Sequence, residues 1–439
     1  MPENPKNDGK NRFLKFFNQL GLDHPLINFF SLGFLKATDA VILLLLIPII
    51  IHRVGIANFG IIAFVQVILN YGKTIIDYGF HITGVRLIAL NKENREKLSG
   101  LLSDILFSRL LLCLIFTLFL FLSIQLIPFL KEREWVFYLG FLLPLGHVFF
   151  IDWFFIGMQK AHFIALANLV IKLLFAASVL LFIQVPEDFV FLLAFQGLSG
   201  LVVGLVVVMF TCQYLRLHFK IPSVSAIRNF LINDFKLLLS NLAIEFNASY
   251  SILILSALTT DVITGYFNVM YKLVQPLRFL LVIFSQAIFP KVCEKTREGW
   301  HSMLAFLKTA FVSFFWLPVV CTLLIVCFAG PIYAYFAKSA DPDLLAAFSL
   351  YLLAPILVLA NIPAYQILLA YDKKSDYTAV YLISMSLKLI LDYCLIKFYG
   401  LQGLIISILL IEAFITLGLW LMVKKNSHQL INQAYPTNK

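Results

Sequence analysis

Residues 102–127 read LSDILFSRLLLCLIFTLFLFLSIQLI. Apart from Asp104 and Arg109 the run is uncharged. As a helix it is long enough to cross the roughly 30 Å hydrocarbon core of a bilayer. Every face of such a helix is apolar, so it has no side suited to water. Arg109 then becomes the residue to explain. A charge at membrane depth costs about 3 kcal/mol or more unless it meets a partner or a water-filled cavity.

The rest of the chain follows the same pattern. Hydrophobic residues make up 61% of the 439, and charged ones 13%. A soluble domain has about half its residues apolar and about a quarter charged. Apolar runs and polar breaks predict an all-α integral membrane protein of about twelve transmembrane helices. The spans are 27–52, 57–90, 102–127, 135–158, 163–184, 189–214, 235–258, 262–290, 303–329, 344–370, 377–397 and 401–423. The second and eighth are long enough to continue past the bilayer. The first apolar run is too long for a signal peptide and is followed by His52-Arg53 rather than a cleavage pattern.

Basic residues set the direction. With the N-terminus inside, cytoplasmic segments hold Lys10, Arg12, Lys15, Arg86, Lys92, Arg95, Lys97, Arg216, Lys220, Lys291, Lys295, Lys373, Lys374, Lys424 and Lys425, among others. The opposite loops hold only Arg53, Lys131, Arg133, Lys338 and Lys397. Both termini are therefore expected in the cytoplasm. The net charge of +10 is membrane topology, and no nucleic-acid partner is expected.

The remaining basic residues lie within spans: Lys36, Lys73, Arg109, Lys172, Lys272, Arg278, Lys308 and Lys388. They recur at matched places in the two halves. Gly60 precedes Lys73 by 13 residues and Gly265 precedes Arg278 by 13. Ser103 precedes Arg109 by 6, as Ser302 precedes Lys308. Asn168 and Lys172 are 4 apart, as are Ser384 and Lys388. Pro144 and Pro355 match in the fourth and tenth spans. These matches predict two parallel six-helix lobes related by an axis along the membrane normal, with a binding site between them. The chain divides into a cytoplasmic segment 1–26, an N-lobe 27–214, an inter-lobe loop 215–234, a C-lobe 235–423 and a cytoplasmic tail 424–439.

Three cations have an acid one helical turn away: Lys36 with Asp39, Lys73 with Asp77, and Lys388 with Asp392. Such a pair can neutralise itself and be purely structural. Arg278, Lys272, Arg109, Lys172 and Lys308 have no such neighbour. Arg278 follows Pro276, where a kink should free backbone groups, and a guanidinium grips phosphate oxygens bidentately. The expected cationic cavity comprises Arg278, Lys73, Lys272, Lys36, Arg109, Lys172 and Lys308. Glu245, Asp39 and Asp77 are candidates for coupling to a monovalent cation, proton or sodium. For Glu245 the alternative is a partner for Arg278 or Lys272. The six cysteines form no CxxC and read as small apolar residues. No catalytic constellation, metal site or phosphate-cradling glycine loop is present, so neither an enzyme, a cofactor nor an ATP motor is expected.

Three stretches carry a resemblance. They are Asp77-Tyr78-Gly79-Phe80 with Gly84-Val85-Arg86, then Asp152-Trp153-Phe154-Phe155-Ile156-Gly157-Met158-Gln159-Lys160, and Gly265-Tyr266-Phe267 through Tyr271-Lys272-Leu273 to Ser285-Gln286-Ala287-Ile288-Phe289-Pro290. Together they resemble the polysaccharide repeat-unit (O-antigen) flippases of the multidrug/oligosaccharidyl-lipid/polysaccharide exporter superfamily. Val85 stands where that family often has threonine, and Ile156 where it has glutamine. The resemblance implies a multi-pass protein of the bacterial inner membrane with the exporter-superfamily fold. It implies alternating access, with an undecaprenyl-pyrophosphate-linked oligosaccharide carried from the cytoplasmic to the outer leaflet for surface polysaccharide. Partners would be that lipid-linked sugar, the bilayer and other polysaccharide-assembly membrane proteins. Two other readings compete. An ion-coupled multidrug antiporter of the same superfamily would want an acidic site. A membrane polysaccharide polymerase or ligase would want a larger outer loop than 128–134 or 330–343.

Overall fold

The computed structural model describes residues 42, 44–337, 339 and 341–433, and among them all regular structure is helical. Ten helical stretches are long and apolar enough to span a bilayer, and Leu44–Val54 is a shorter apolar helix. One of the ten, Lys374–Asn426, contains Gly400 with φ 55° and ψ −129°, where two helices meet. That break separates the eleventh and twelfth expected spans, and Leu44–Val54 is the end of the first. The segment 1–26, Lys36, Asp39 and Lys338 lie outside the described residues.

In chain order the main helices are α1 Leu44–Val54, α2 Ile56–Asp77, α3 Phe80–Leu90, α4 Arg95–Leu126, α5 Glu134–Gly140 and α6 Leu142–Phe149. Then come α7 Asp152–Gly157, α8 Ala161–Phe182, α9 Leu192–Leu215 and α10 Val224–Asn233. The second half holds α11 Phe235–Leu258, α12 Asp261–Glu298, α13 Trp300–Cys327, α14 Ala329–Ala337, α15 Pro342–Tyr351, α16 Ala354–Ala370 and α17 Lys374–Gln433.

The opening stretch forms α4, and its packing explains its composition. Leu102, Ile105, Leu106, Arg109, Leu112, Phe116, Leu120 and Ile124 are buried, a stripe with helical spacing. Leu114, Leu118, Phe119 and Leu122 are exposed on the opposite side. Here the outward face is as apolar as the inward one, and the only cation in the apolar run points inward. That is the reverse of a helix solvated by water.

Matched breaks appear in the two halves. The fourth span is interrupted at Phe141, between α5 and α6, three residues before Pro144. The tenth is interrupted at Leu352-Leu353, between α15 and α16, just before Pro355. Each proline lacks the N–H that would bond to the preceding turn, so each opens its helix at the same place. The turns that follow also match. Lys160 N donates to Phe155 O (2.8 Å) and Gln159 N to Ile156 O (2.9 Å). Lys373 N donates to Leu368 O (2.8 Å) and Asp372 N to Leu369 O (3.1 Å). Both are Schellman closures, with Gln159 and Asp372 in the left-handed region.

The second and eighth spans differ. The second breaks at Tyr78 (φ 46°) and Gly79 (φ 107°), whereas α12 runs unbroken through Pro276 and Pro290. Pro276 therefore does not end its helix, though it leaves the Lys272 carbonyl without its usual helical donor. Helix α2 packs against α11 and α12, so the two halves of the chain meet along it. Within the first half α9 packs on α6 and α3 on α7; within the second, α16 packs on α12 and α17.

The connection between halves is bound along the end of α4. Amides of His218, Lys220 and Ser223 donate to the side chains of Ser99, Ser103 and Asp104 (3.2, 2.9 and 3.0 Å). Farther on, Tyr78 Oη donates to Leu231 O (2.8 Å) and Thr83 Oγ1 to Asp234 Oδ2 (2.8 Å).

Candidate functional site

A polar cavity of about 410 Å³ lies where the halves meet. Helix α2 supplies Asn70, Lys73, Thr74 and Asp77, and α3 adds His81. From the second half, α11 supplies Asn241, Ile244 and Glu245, while His147 of α6 completes the wall. The spacing 70, 73, 74, 77, 81 is one helical face, and it continues across the break at Gly79. Of that face only Lys73 and Asp77 stand out in the sequence. Asn70, His81, His147 and Asn241 are the lining residues that a search for cations alone passes over.

Asp77 is the hub of the first-half wall. Its Oδ1 accepts from Arg109 Nη2 at 2.6 Å, and its Oδ2 lies 2.8 Å from His81 Nδ1. Arg109 is fully buried. It also donates to the carbonyls of His147, Val148 and Phe150 (3.4, 3.3 and 3.0 Å). Those are the open carbonyls at the end of α6, which a guanidinium suits. Arg109 thus stands behind the wall. It neutralises Asp77 and caps a broken helix, and it is not itself among the lining residues.

Glu245 accepts from Ser249 Oγ (2.8 Å). It is not the partner of Arg278 that the sequence allowed. Arg278 pairs instead with Glu412 of the last span, Nη2 to Oε1 at 3.3 Å, and its side chain is 32% exposed. Lys272 and Lys172, from opposite halves, lie close enough to repel electrostatically. Among the described residues Lys272 has no hydrogen-bond or ion-pair partner, so Glu245 does not pair with it either. Lys308 is exposed on α13, unlike its repeat mate Arg109. The structure thus gathers Lys73, Asp77 and Glu245 around one cavity, puts Arg109 behind it, and places Arg278 beside Glu412. The cavity wall is mixed in sign rather than purely cationic.

Lys388 and Asp392 form the ion pair their spacing predicts, at 2.7 Å. Ser251 and Ser407 add hydrogen bonds to Asp392 (3.2 and 2.5 Å), and Lys388 donates to Ser251 (2.6 Å). The pair is buried and joins α11 to the last two spans.

Apart from Asp77, the motif residues whose contacts are seen serve packing. Gly84 leaves room for the Trp153 ring, with its Cβ position 3.0 Å from the indole, and Gly157 faces Ile88. Gly84 of the first motif and Gly157 of the second therefore form one contact between α3 and α7, while Asp77 of the first lines the cavity. In the third, Ser285 hydrogen-bonds Tyr365 and Gln366, tying α12 to α16. Among the described residues no cluster of His, Cys, Asp or Glu could hold a metal ion.

A helical bundle of this kind, apolar outside and holding a polar cavity where its halves meet, is the architecture of a multi-pass membrane protein. The chain belongs to the polysaccharide biosynthesis protein family, whose model matches residues 26–295. Relatives agree over nearly full length. A protein of Escherichia coli K12, provisionally named an O-antigen transporter, is 21% identical over 92% of this chain and 97% of its own. A protein of the same name from Shigella dysenteriae is 23% identical over 87% and 95%. Among solved structures, an inward-facing multidrug transporter of the MATE family in the MOP superfamily superposes with a TM-score of 0.67. It covers 90% of this chain and 100% of its own at 14% identity. The lipid II flippase MurJ, inward closed, also gives 0.67, covering 93% and 90% at 13% identity. These likenesses fix the fold, which is the one shared by those transporters of the MOP superfamily.

Proposed function

We propose that this transporter flips an undecaprenyl-pyrophosphate-linked oligosaccharide from the cytoplasmic to the outer leaflet of a bacterial inner membrane, for surface polysaccharide. The observation that carries this reading is the polar cavity between the halves, walled by Lys73, Asn70, Asn241 and Glu245. A sugar diphosphate cannot leave water for hydrocarbon without compensation of its hydrogen bonds and charge. Hydroxyl-rich cargo suits a wall of amides, carboxylate and imidazole. The diphosphate suits Lys73, with Lys172 and Lys272 approaching each other from opposite halves and Arg278 beside Glu412 in the second half. Lys36 and Asp39 extend the same list on the first span.

In this reading residues 27–214 and 235–423 act as lobes that alternate access around the cavity, with both termini in the cytoplasm. Glu245 is the coupling residue. A proton or sodium ion bound there would remove one negative charge from the wall and favour the anionic head. Asp77, already held by Arg109, is the weaker candidate. Other polysaccharide-assembly membrane proteins would deliver and take up the cargo.

Lys73→Ala is expected to cut surface polysaccharide about tenfold or more while the protein still accumulates in the membrane. Glycan immunoblotting beside quantitation of the protein measures both. Unchanged glycan in Lys73→Ala would remove the proposed role of the cavity. A deletion strain with normal glycan and heightened drug sensitivity would instead support the antiporter.

A further inference from the structure

Gly60 and Gly265 meet in space as well as matching in sequence. Each lies one helical turn after the first residue of its helix, Ile56 in α2 and Asp261 in α12. A Cβ built on Gly60 would strike the carbonyl of Asp261, and one built on Gly265 the carbonyl of Ile56. The contact is reciprocal, as a two-fold relation between the halves requires. The two backbones touch with no side chain between them, which closes the end of the interface opposite the cavity residues 70–81.

A charged clasp spans the same end. Arg133 Nη2, from the turn before α5, donates to both carboxylate oxygens of Asp261 (3.0 and 2.9 Å). The first half holds this arginine ready. Arg133 Nη1 donates to Phe129 O (2.9 Å), and its guanidinium lies 4.1 Å from the Phe129 ring centroid and 5.8 Å from that of Phe64. Its side chain is only 9% exposed, so water screens the pair poorly. Asp261 sits in the first turn of α12, where the helix dipole also favours a carboxylate.

We propose that the Arg133–Asp261 pair, clasped over the Gly60–Gly265 crossing, is the outer gate of the cavity and must break before it opens outward. A lone pair on a rim would be weak. This one engages both carboxylate oxygens through Nη2, is half-enclosed by aromatic rings and is fixed to a crossing that tolerates no Cβ. Truncating one partner of such a pair therefore shifts the balance between closed and open arrangements. The inference rests on the orientation and alternating access proposed above.

The test places a thiol reporter in the cavity as Asn70→Cys and adds a membrane-impermeant maleimide from outside to spheroplasts. The chain without the reporter controls for its own cysteines. With the clasp intact, outside labelling should stay near background. In Arg133→Ala and in Asp261→Ala it should rise about tenfold or more, while labelling of inverted vesicles from the cytoplasmic side falls. Asp261→Glu keeps the carboxylate and should stay near background. Should Arg133→Ala fail to accumulate, Arg133→Gln removes the charge at lower steric cost. Background labelling in both charge-removing variants, with the reporter reached from inside, overturns the gate. So does equal labelling of Asp261→Glu and Asp261→Ala. Labelling of the intact-clasp protein from outside alone overturns the orientation. No readout uses a lipid-linked sugar, so failure of the proposed cargo would appear only in the glycan measured for Lys73→Ala.

Discussion

Arg109→Leu should sharply reduce the amount of folded protein and lower its thermal midpoint in detergent. The substitution leaves Asp77 without its closest cation and uncovers the carbonyls of His147, Val148 and Phe150 at the end of α6. Removing one member of a buried, hydrogen-bonded charge pair costs about 3–5 kcal/mol, because the survivor stays buried. Arg109→Leu with Asp77→Leu should recover part of that loss by removing the stranded carboxylate. It should not recover all, since the carbonyls remain uncapped. Lys308→Leu, at the repeat-equivalent position but exposed, should stay within about 0.5 kcal/mol of the parent. Fluorescence-detected size exclusion after graded heating ranks all four. An Arg109→Leu protein as stable as Lys308→Leu would refute the structural role given to Arg109.

Asp392→Ala should be comparably damaging, at about 3–5 kcal/mol. Asp392 is fully buried and is the only carboxylate among the described residues that pairs with Lys388. Its loss leaves an ammonium on Ser251 alone and strands the Ser407 hydroxyl. Lys388→Met with Asp392→Leu fills similar volume without charge and should fall well short of the single variant's loss. That non-additivity is the signature of a pair acting as a unit. If the double variant is worse than Asp392→Ala, the pair contributes more than mutual neutralisation.

The contrast between these two cations shows what a sequence can reveal here. Lys388 and Asp392 are four residues apart on one helix, so their pairing was legible from spacing. The partner of Arg109 lies 32 residues away and that of Arg278 lies 134 away, across helix contacts that no local pattern encodes. Span positions were legible because the bilayer imposes a length and a polarity on every crossing. The breaks before Pro144 and Pro355 were legible as matched prolines, though their effect on the helices was not. The cavity was half legible. Its α2 wall is a polar stripe at helical spacing, but attention to cations left out the amides and histidines between them. The family motifs were legible as identity tags, yet Gly84, Trp153 and Ser285 prove to hold helices together rather than face the cavity.

The bound connection between the halves has a mechanical consequence. From His218 to Asp234 the extended chain and helix α10 are fastened at intervals to the first half. The last fastening is on Asp234, and α11 begins at the next residue. The linker is therefore a rigid extension of the first half, without slack of its own. Any swing of the second half turns about a fulcrum one peptide long, and α11, with Glu245 on it, is the lever arm. Extra residues inserted at the exposed Ile221, between two fastenings, would bulge outward and leave the pivot in place. The same residues inserted after Asp234 would disconnect the lever from its pivot.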